Sequence, residues 1–378
     1  MKYVDEYREQ KKAAVLSEKI KELCPPGSHY KIMEICGGHT HVIYKYGIQN
    51  YLPGNIELVH GPGCPVCVIP LGRVDDAISI SLQDTIFTCF GDMLRVPGNK
   101  RSLGDAKAQG ADVRIVYSPL DTLQMAKQNT DRQVVFLAIG FETTAPSTAI
   151  ALKQAKALGI SNFSVFCNHV TIIPPLEAIL NNDDVEIDAF IGPGHVAAVT
   201  GCKIFEQITG VYGTPVVVSG FEPLDVLQSV FMLVRQFRDG VRKVENQYSR
   251  VVGYNGNEAA LGVMDETMEV RPYFEWRGLG TIEHSGLKIN DSYADFDAEN
   301  RFEIPGIQVK EPRACQCGQV LQGKIKPNEC KVFAKACTPE KPIGTCMVSA
   351  EGACAAYYNY GRFMDINAKP NPAKAANK

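Results

Sequence analysis

Residues Tyr30–Ile35 read YKIMEI and run directly into Cys36-Gly37-Gly38-His39-Thr40-His41. A short apolar run that stops at glycines reads as a strand ending in a loop. The same arrangement recurs along the chain. Ile56–His60 (IELVH) runs into Gly61-Pro62-Gly63-Cys64, Thr85–Phe90 (TIFTCF) into Gly91-Asp92-Met93, and Val113–Tyr117 (VRIVY) into Ser118-Pro119. Gln133–Ile139 (QVVFLAI) runs into Gly140-Phe141-Glu142-Thr143-Thr144, and Phe163–Phe166 (FSVF) into Cys167-Asn168-His169. Ala189–Ile191 runs into Gly192-Pro193-Gly194-His195, and Thr214–Val218 (TPVVV) into Ser219-Gly220-Phe221. Helical stretches such as Val74–Leu82 and Leu120–Asn129 lie between them. Strands alternating with helices predict an α/β fold with mostly parallel sheets.

Working outward, residues 1–24 predict an N-terminal helix, with Leu16, Ile20 and Leu23 at helical spacing and Cys24-Pro25-Pro26-Gly27 stopping it. Gly61-Pro62-Gly63-Cys64 is echoed by Gly192-Pro193-Gly194-His195, which suggests two similar α/β domains at 25–130 and 131–240. Residues 222–240 predict a helix whose apolar face is Leu224, Leu227, Phe231, Val234 and Phe237. Beyond 241 the alternation fades, and six of the 13 cysteines fall between 315 and 354. A third domain, 241–378, is therefore expected to bear metal, and its Pro/Ala/Lys-rich tail, 368–378, is expected to fray.

Of the 378 residues, 45% are apolar and 21% charged, enough for a sizeable core and against wholesale disorder. Net charge is −3, without the basic excess of a general nucleic-acid or acidic-membrane binder. No apolar run reaches the ~18–20 residues that span a bilayer. The N-terminus mixes both charge signs and shows no apolar signal segment, so the expected location is cytoplasmic. In a reducing compartment, clustered cysteines are metal ligands or redox groups more often than disulfides.

Four segments carry chemistry. The first is the late cluster, Cys315, Cys317, Cys330, Cys337, Cys346 and Cys354. Four thiolates around an iron–sulfur cube or a zinc ion account for such density, and buried free cysteines acting as small hydrophobes are the plain alternative. Gaps of 12 residues after Cys317, 6 after Cys330 and 16 after Cys337 suit a cube better than paired zinc knuckles. The second is Cys64-Pro65-Val66-Cys67, a CxxC after a strand, which reads as a redox dithiol, a metal half-site or an inert turn. The third is Cys36-Gly37-Gly38-His39-Thr40-His41, which places a thiol and an imidazole where open α/β sheets bind ligands. The fourth comprises Gly140-Phe141-Glu142-Thr143-Thr144-Ala145-Pro146, Asn168-His169 and Gly192-Pro193-Gly194-His195, whose polar groups end predicted strands; capping and turn chemistry explain any one of them equally well. No glycine run matches a nucleotide-binding fingerprint.

CGGHTH at 36–41, GPGCPVC at 61–67, GFETTAP at 140–146 and CQCG…MVSAEGAC over 315–354 together resemble the HypD family, proteins that help to assemble the iron site of [NiFe]-hydrogenases. The resemblance runs in order over nearly the whole chain. It implies two related α/β domains plus a portion carrying a [4Fe–4S] cluster. It also implies a complex with the small chaperone HypC and then with the cyanide donor HypE. On that scaffold an Fe(CN)₂CO unit is built and passed to the hydrogenase large subunit. By motif match, Cys36 is the expected iron ligand and Cys64 with Cys67 the redox-active dithiol. His39, Glu142 and His169 are expected to line the cleft. The expected cluster ligands are Cys317, Cys330, Cys337 and Cys354, with Cys315 as substitute for Cys317. The competing readings are a stand-alone thiol–disulfide oxidoreductase built on Cys64 and Cys67, and a zinc-stabilised binding module.

Overall fold

The structure is a computed structural model that describes residues 5–25, 27–306, 309 and 312–361. The tail expected to fray lies outside the described residues. A short 3-10 turn, Asp5–Tyr7, leads into helix α1, Gln10–Leu23. Helices α2 (Gly37–Lys45), α3 (Pro65–Val68) and α4 (Leu71–Ser81) follow. The strands are β1 (Tyr30–Glu34), β2 (Ile56–His60), β3 (Thr85–Cys89), β4 (Asp112–Ile115), β5 (Gln133–Gly140), β6 (Phe163–His169), β7 (Ala189–Pro193), β8 (Val216–Ser219) and β9 (Val244–Asn246).

These nine strands make two all-parallel sheets, ordered β2-β1-β7-β8-β9 and β4-β3-β5-β6. The expected α/β class with parallel sheets is the one observed. Sheet membership, however, does not follow the sequential division at 130/131, which falls inside the second sheet between β4 and β5. The chain leaves the first sheet after β2, builds the whole second sheet, and returns at β7. Parallel neighbours need crossovers but not sequential ones, so Ile32 pairs with Ala189. The short strand β9 at the first sheet's edge was not expected. Beyond it lie two small antiparallel pairs, Met268–Val270 with Leu287–Ile289 and Tyr273–Trp276 with Gly280–Glu283, and then the short helices and turns of the cysteine-rich segment.

Side-chain alternation sorts the core. On the first sheet Ile32, Leu58 and Val217 face one apolar cluster, which contains α1 residues Ala13 and Ile20 and the helix Pro223–Asp239 through Val226, Leu227 and Val230. Met33, Val59, Phe190 and Val218 face the other way, into a cluster that also receives Phe87, Val135, Leu137 and Phe166 from the second sheet and Cys317, Cys346 and Cys354 from the late segment. Ile86, Val134, Phe136 and Val165 line a third cluster. A period of two along each strand divides its residues between two cores. Helix Pro223–Asp239 begins with Pro223 after a reciprocal Glu222/Asp225 cap and stops at Gly240, whose φ of 65° is left-handed. Among the described residues no helix is long and apolar enough to cross a membrane.

Candidate functional site

In each sheet the strand order reverses at one place. In the first sheet β1 is followed by β2 on one side, while β7, β8 and β9 extend the other. The gap between the carboxyl ends of β1 and β7 is therefore a topological switch point, where open α/β sheets form their binding crevice. Cys36 leaves β1 there and His195 leaves β7. The Cys36 Sγ lies 3.5 Å from His195 Nδ1 and 3.9 Å from Nε2. Cys36 caps the start of α2, and the amides of Gly38 and His39 face its sulfur. Burial, with Glu351 and Glu34 nearby, raises the Cys36 pKa well above the ordinary thiol range, and those two amides oppose the shift. Burial, together with the neighbouring His39, lowers the His195 pKa to about 4, so its ring is neutral near pH 7.

Glycines let the surrounding loops close on this point. A Cβ on Gly63 would lie 2.2 Å from the Cys36 backbone nitrogen, and one on Gly37 would lie 2.5 Å from the Glu351 Cβ. The CxxC loop and the late segment thus both touch the Cys36 loop by backbone approach. His39 is fully buried. Its Nε2–H faces the carbonyl oxygens of Gly220 at 3.0 Å and Ser219 at 3.3 Å, and its ring stacks on Phe221 at 4.7 Å. Beneath the loop, Glu34 is wholly buried; one carboxylate oxygen accepts the Cys36 N–H at 2.9 Å, the other faces His60 Nδ1 at 2.6 Å and accepts from the Thr40 hydroxyl. His60 Nε2 in turn meets the Tyr44 hydroxyl at 2.6 Å.

The dithiol belongs to a second sulfur neighbourhood. Cys64 precedes α3 and Cys67 lies within it, 4% and 0% exposed. Cys67 lies beside Cys346 and Cys64, and burial followed by these neighbouring thiols pushes its pKa well up. Cys346 is the acidic member, held below the usual thiol range by contacts from Cys317 and Cys67. The Thr345 hydroxyl donates to the Cys67 carbonyl at 2.8 Å, and the Arg277 amide to the Val68 carbonyl at 2.8 Å. Beyond Cys346, one cavity is lined by Cys315, Cys317, Cys330, Cys337, Cys346 and Cys354, its remaining wall being mostly apolar. Gly344 backs it, where a Cβ would lie 2.3 Å from the Cys315 sulfur. The Ile343 N–H donates to the Cys337 sulfur at 3.3 Å. Six convergent thiols, a backbone donor to sulfur and an otherwise apolar wall fit an iron–sulfur cube. Among the described residues no three His, Cys, Asp or Glu side chains are set to hold a single metal ion.

Glu142 and His169 lie on the second sheet. Glu142 follows β5 at that sheet's own switch point; one of its oxygens accepts the Ile172 N–H at 3.0 Å and the other is buried without a partner. Burial raises its pKa to about 7. His169 Nε2 meets the Thr148 hydroxyl at 3.0 Å and Nδ1 faces the Gly140 carbonyl at 3.3 Å, with burial lowering its pKa to about 4. Helix α3 packs on β5, so this second switch point borders the dithiol helix. Among the described residues no hydrogen bond joins Glu142 or His169 to Cys36, Cys64 or Cys67. The site residues absent from the expected set are Phe221, Glu34 and Glu351. His195 had one signal in the sequence, the GPGH that echoes GPGC.

A family model described as "HypD: Hydrogenase formation hypA family" matches residues 11–361. The chain belongs to the HypD family. It is 51% identical over 373 residues to "Hydrogenase maturation factor HypD" of Rhizobium leguminosarum bv. viciae, covering 97% of each chain. It is 49% identical over 366 residues to the protein of that name from Escherichia coli (strain K12), covering 95% of this chain and 98% of that one. A relative of the same name from Cupriavidus necator is 49% identical over 374 residues, with 97% and 99% covered. The family assignment thus spans both HypD switch points, the dithiol and the cysteine-lined cavity.

Proposed function

We propose that this hydrogenase maturation factor is a redox-competent scaffold for the Fe(CN)₂CO unit. In this reading it acts with a HypC-type chaperone and a HypE-type cyanide donor and passes the unit indirectly to the hydrogenase large subunit. The observation that carries the reading is the contact chain from Cys36 through the Gly63 backbone to the CxxC loop, and from Cys67 through Cys346 to the cysteine-lined cavity. The iron unit is the cargo. Cys36 is a protonated thiol in the free chain and gives up that proton on binding iron, becoming the soft thiolate donor that suits low-spin ferrous iron. Amides at the start of α2 balance negative charge on the sulfur and on cyanide nitrogens.

Cys317, Cys330, Cys337 and Cys354 are the proposed holders of a [4Fe–4S] cluster, with Cys315 as substitute for Cys317. When bound, the cluster supplies one-electron transfer. Cys64 and Cys67 store an electron pair: two thiols release two protons and two electrons on forming a disulfide, and take them up on its reduction. Cys346, which lies between Cys67 and Cys317, joins the dithiol helix to the cavity wall. His39 locks the Phe221 loop, while Glu142 and His169 are proposed to line the dithiol's far side.

Burial argues against the stand-alone oxidoreductase. One of the two thiols must attack a disulfide substrate, and both are buried, Cys64 at 4% and Cys67 at 0% exposed, so the substrate cannot reach either without displacing the surrounding loop. The test is anaerobic purification of the chain with its small chaperone, followed by infrared spectroscopy and iron and sulfide assays. The expected result is cyanide and carbonyl stretches that disappear in Cys36→Ala, with iron and sulfide near four each in the chain alone. A wild-type complex made with all maturation partners and lacking those stretches would overturn the reading.

A further inference from the structure

We propose that Arg277 sets the reduction potential of the cluster in the cysteine-lined cavity: its buried guanidinium, carried on a turn wedged between the dithiol helix and the cavity, favours the more negative, reduced state. This inference rests on the cluster of the scaffold reading and adds a residue to it. Arg277 lies in the turn between strands Tyr273–Trp276 and Gly280–Glu283. Turn residues, and arginines above all, ordinarily face water. Arg277 is 1% exposed, and both terminal nitrogens of its guanidinium are shielded from solvent.

The turn touches both sulfur groups through its backbone. On one side the Arg277 amide donates to the Val68 carbonyl at 2.8 Å, one residue beyond Cys67. On the other, Gly278 abuts the start of helix Cys317–Leu321. Its φ is 77°, and a Cβ there would lie 2.4 Å from the Gly318 Cα. A Cβ on Gly318 would lie 2.7 Å from the Gly278 carbonyl oxygen, which accepts the Gln322 side-chain amide at 2.9 Å. The Arg277 charge reaches the sulfurs of Cys315 and Cys317, the two alternatives for one cluster position, so the inference holds whichever of them binds.

A guanidinium keeps its charge throughout the physiological pH range, and burial strengthens what that charge does to its neighbours. A [4Fe–4S] cluster held by four thiolates is anionic, and one added electron makes the site one charge more negative. A fixed cation beside it therefore raises the potential. The dithiol couple responds differently, because its two electrons enter with two protons and its charge does not change. Arg277 thus moves one potential against the other, holding electrons at the cavity against the pull of a Cys64–Cys67 disulfide.

The test uses the full chain, purified anaerobically, and compares wild type, Arg277→Met, Arg277→Gln and Arg277→Lys. Iron and sulfide are counted. The cluster is titrated with dithionite and redox mediators under electron paramagnetic resonance, and the dithiol midpoint is read by alkylation. At a fixed potential, the reduced-to-oxidised ratio of the cluster should fall at least about tenfold in Arg277→Met and Arg277→Gln, equivalent to about 59 mV for one electron. Arg277→Lys should stay within about threefold of wild type, and the dithiol midpoint should move less than the cluster's. Loss of the cluster from Arg277→Met and Arg277→Gln but not from Arg277→Lys also supports the role of the charge. Neutral variants that keep their iron and titrate like wild type overturn the inference, and so does Arg277→Lys falling as far as they do. Loss of the cluster from all three assigns the residue to folding and also overturns it. A wild-type chain without iron and sulfide near four each overturns the cluster of the scaffold reading as well.

Discussion

Gly63 and Cys36 are in such close backbone contact that a methyl group on residue 63 would lie 2.2 Å from the Cys36 nitrogen. This approach couples the CxxC loop to the candidate iron thiol without any side chain between them. Gly63→Ala must push the two loops apart. Overpacking of this kind costs about 1–3 kcal/mol. The expected outcome is a lowered denaturation midpoint together with loss of the iron unit's infrared bands. Full iron retention in a folded Gly63→Ala protein would show that the loops need not touch.

Glu34 holds the same loop from below. Gln in its place keeps the shape but removes the charge and sets an amide where three donors now converge, from Cys36, Thr40 and His60. At least one buried donor then loses its acceptor, at a cost of about 1–3 kcal/mol. Urea titration of Glu34→Gln checks this, and a midpoint equal to wild type would contradict it.

The carboxyl of Glu142 makes stability depend on pH in a defined direction. Burial raises its pKa from 4.5 to about 7. Between those values the folded chain holds a proton that the unfolded chain has released, so stability falls as pH rises from 4.5 through 7. The whole effect is on the order of 3 kcal/mol. His169 and His195 work the other way: burial lowers each from 6.5 to about 4, so their contribution is lost as pH falls from 6.5 through 4. Opposed slopes partly cancel in the wild type. The readable quantity is the stability of Glu142→Gln minus that of wild type, which should grow steadily from pH 4.5 to 7. A flat difference would show that Glu142 ionises in the fold as it does in water.

Cys346 bridges the dithiol and the cavity thiols. Cys346→Ser replaces the acidic thiol that contacts Cys67 with a far weaker acid. The Cys64–Cys67 couple should then shift by on the order of 20–30 mV, the equivalent of about one hydrogen bond. Redox titration with thiol alkylation measures it, and an unchanged midpoint would mean that the two sulfur groups titrate independently.

Much of the architecture was readable because most core strands announce themselves: an apolar run, then Gly, Ser or Cys. Tyr30–Glu34, Ile56–His60 and Gln133–Gly140 lie where those runs predict them. Strand β9 had no such run; Val244–Asn246 is three half-buried residues, recruited by the edge of β8. Sheet order was not readable, because pairing between Ile32 and Ala189 leaves no local trace in either segment. That long-range pairing is also why His195 could be singled out as a strand-end polar group but given no neighbour: only the adjacency of β1 and β7 brings it to Cys36. Cys36, Cys64, Cys67 and His39 were legible from glycine-rich motifs whose close backbone approaches the structure shows. Glu142 and His169 were legible as strand-end polar groups, but nothing local indicated that they end strands of the other sheet.

The interleaving of the two sheets orders events on the ribosome. β1 and β2 emerge early, yet their remaining neighbours, β7 to β9, are made only after the entire Thr85–His169 sheet has been translated. The inserted sheet has all its strands first and can close as a unit, while the flanking one waits with an open side. A nascent chain paused before residue 189 therefore displays the Cys36 loop with β2 on one side and nothing yet on the side that β7 will fill, and the Cys36 thiol becomes sheltered there only once the second half of the polypeptide arrives.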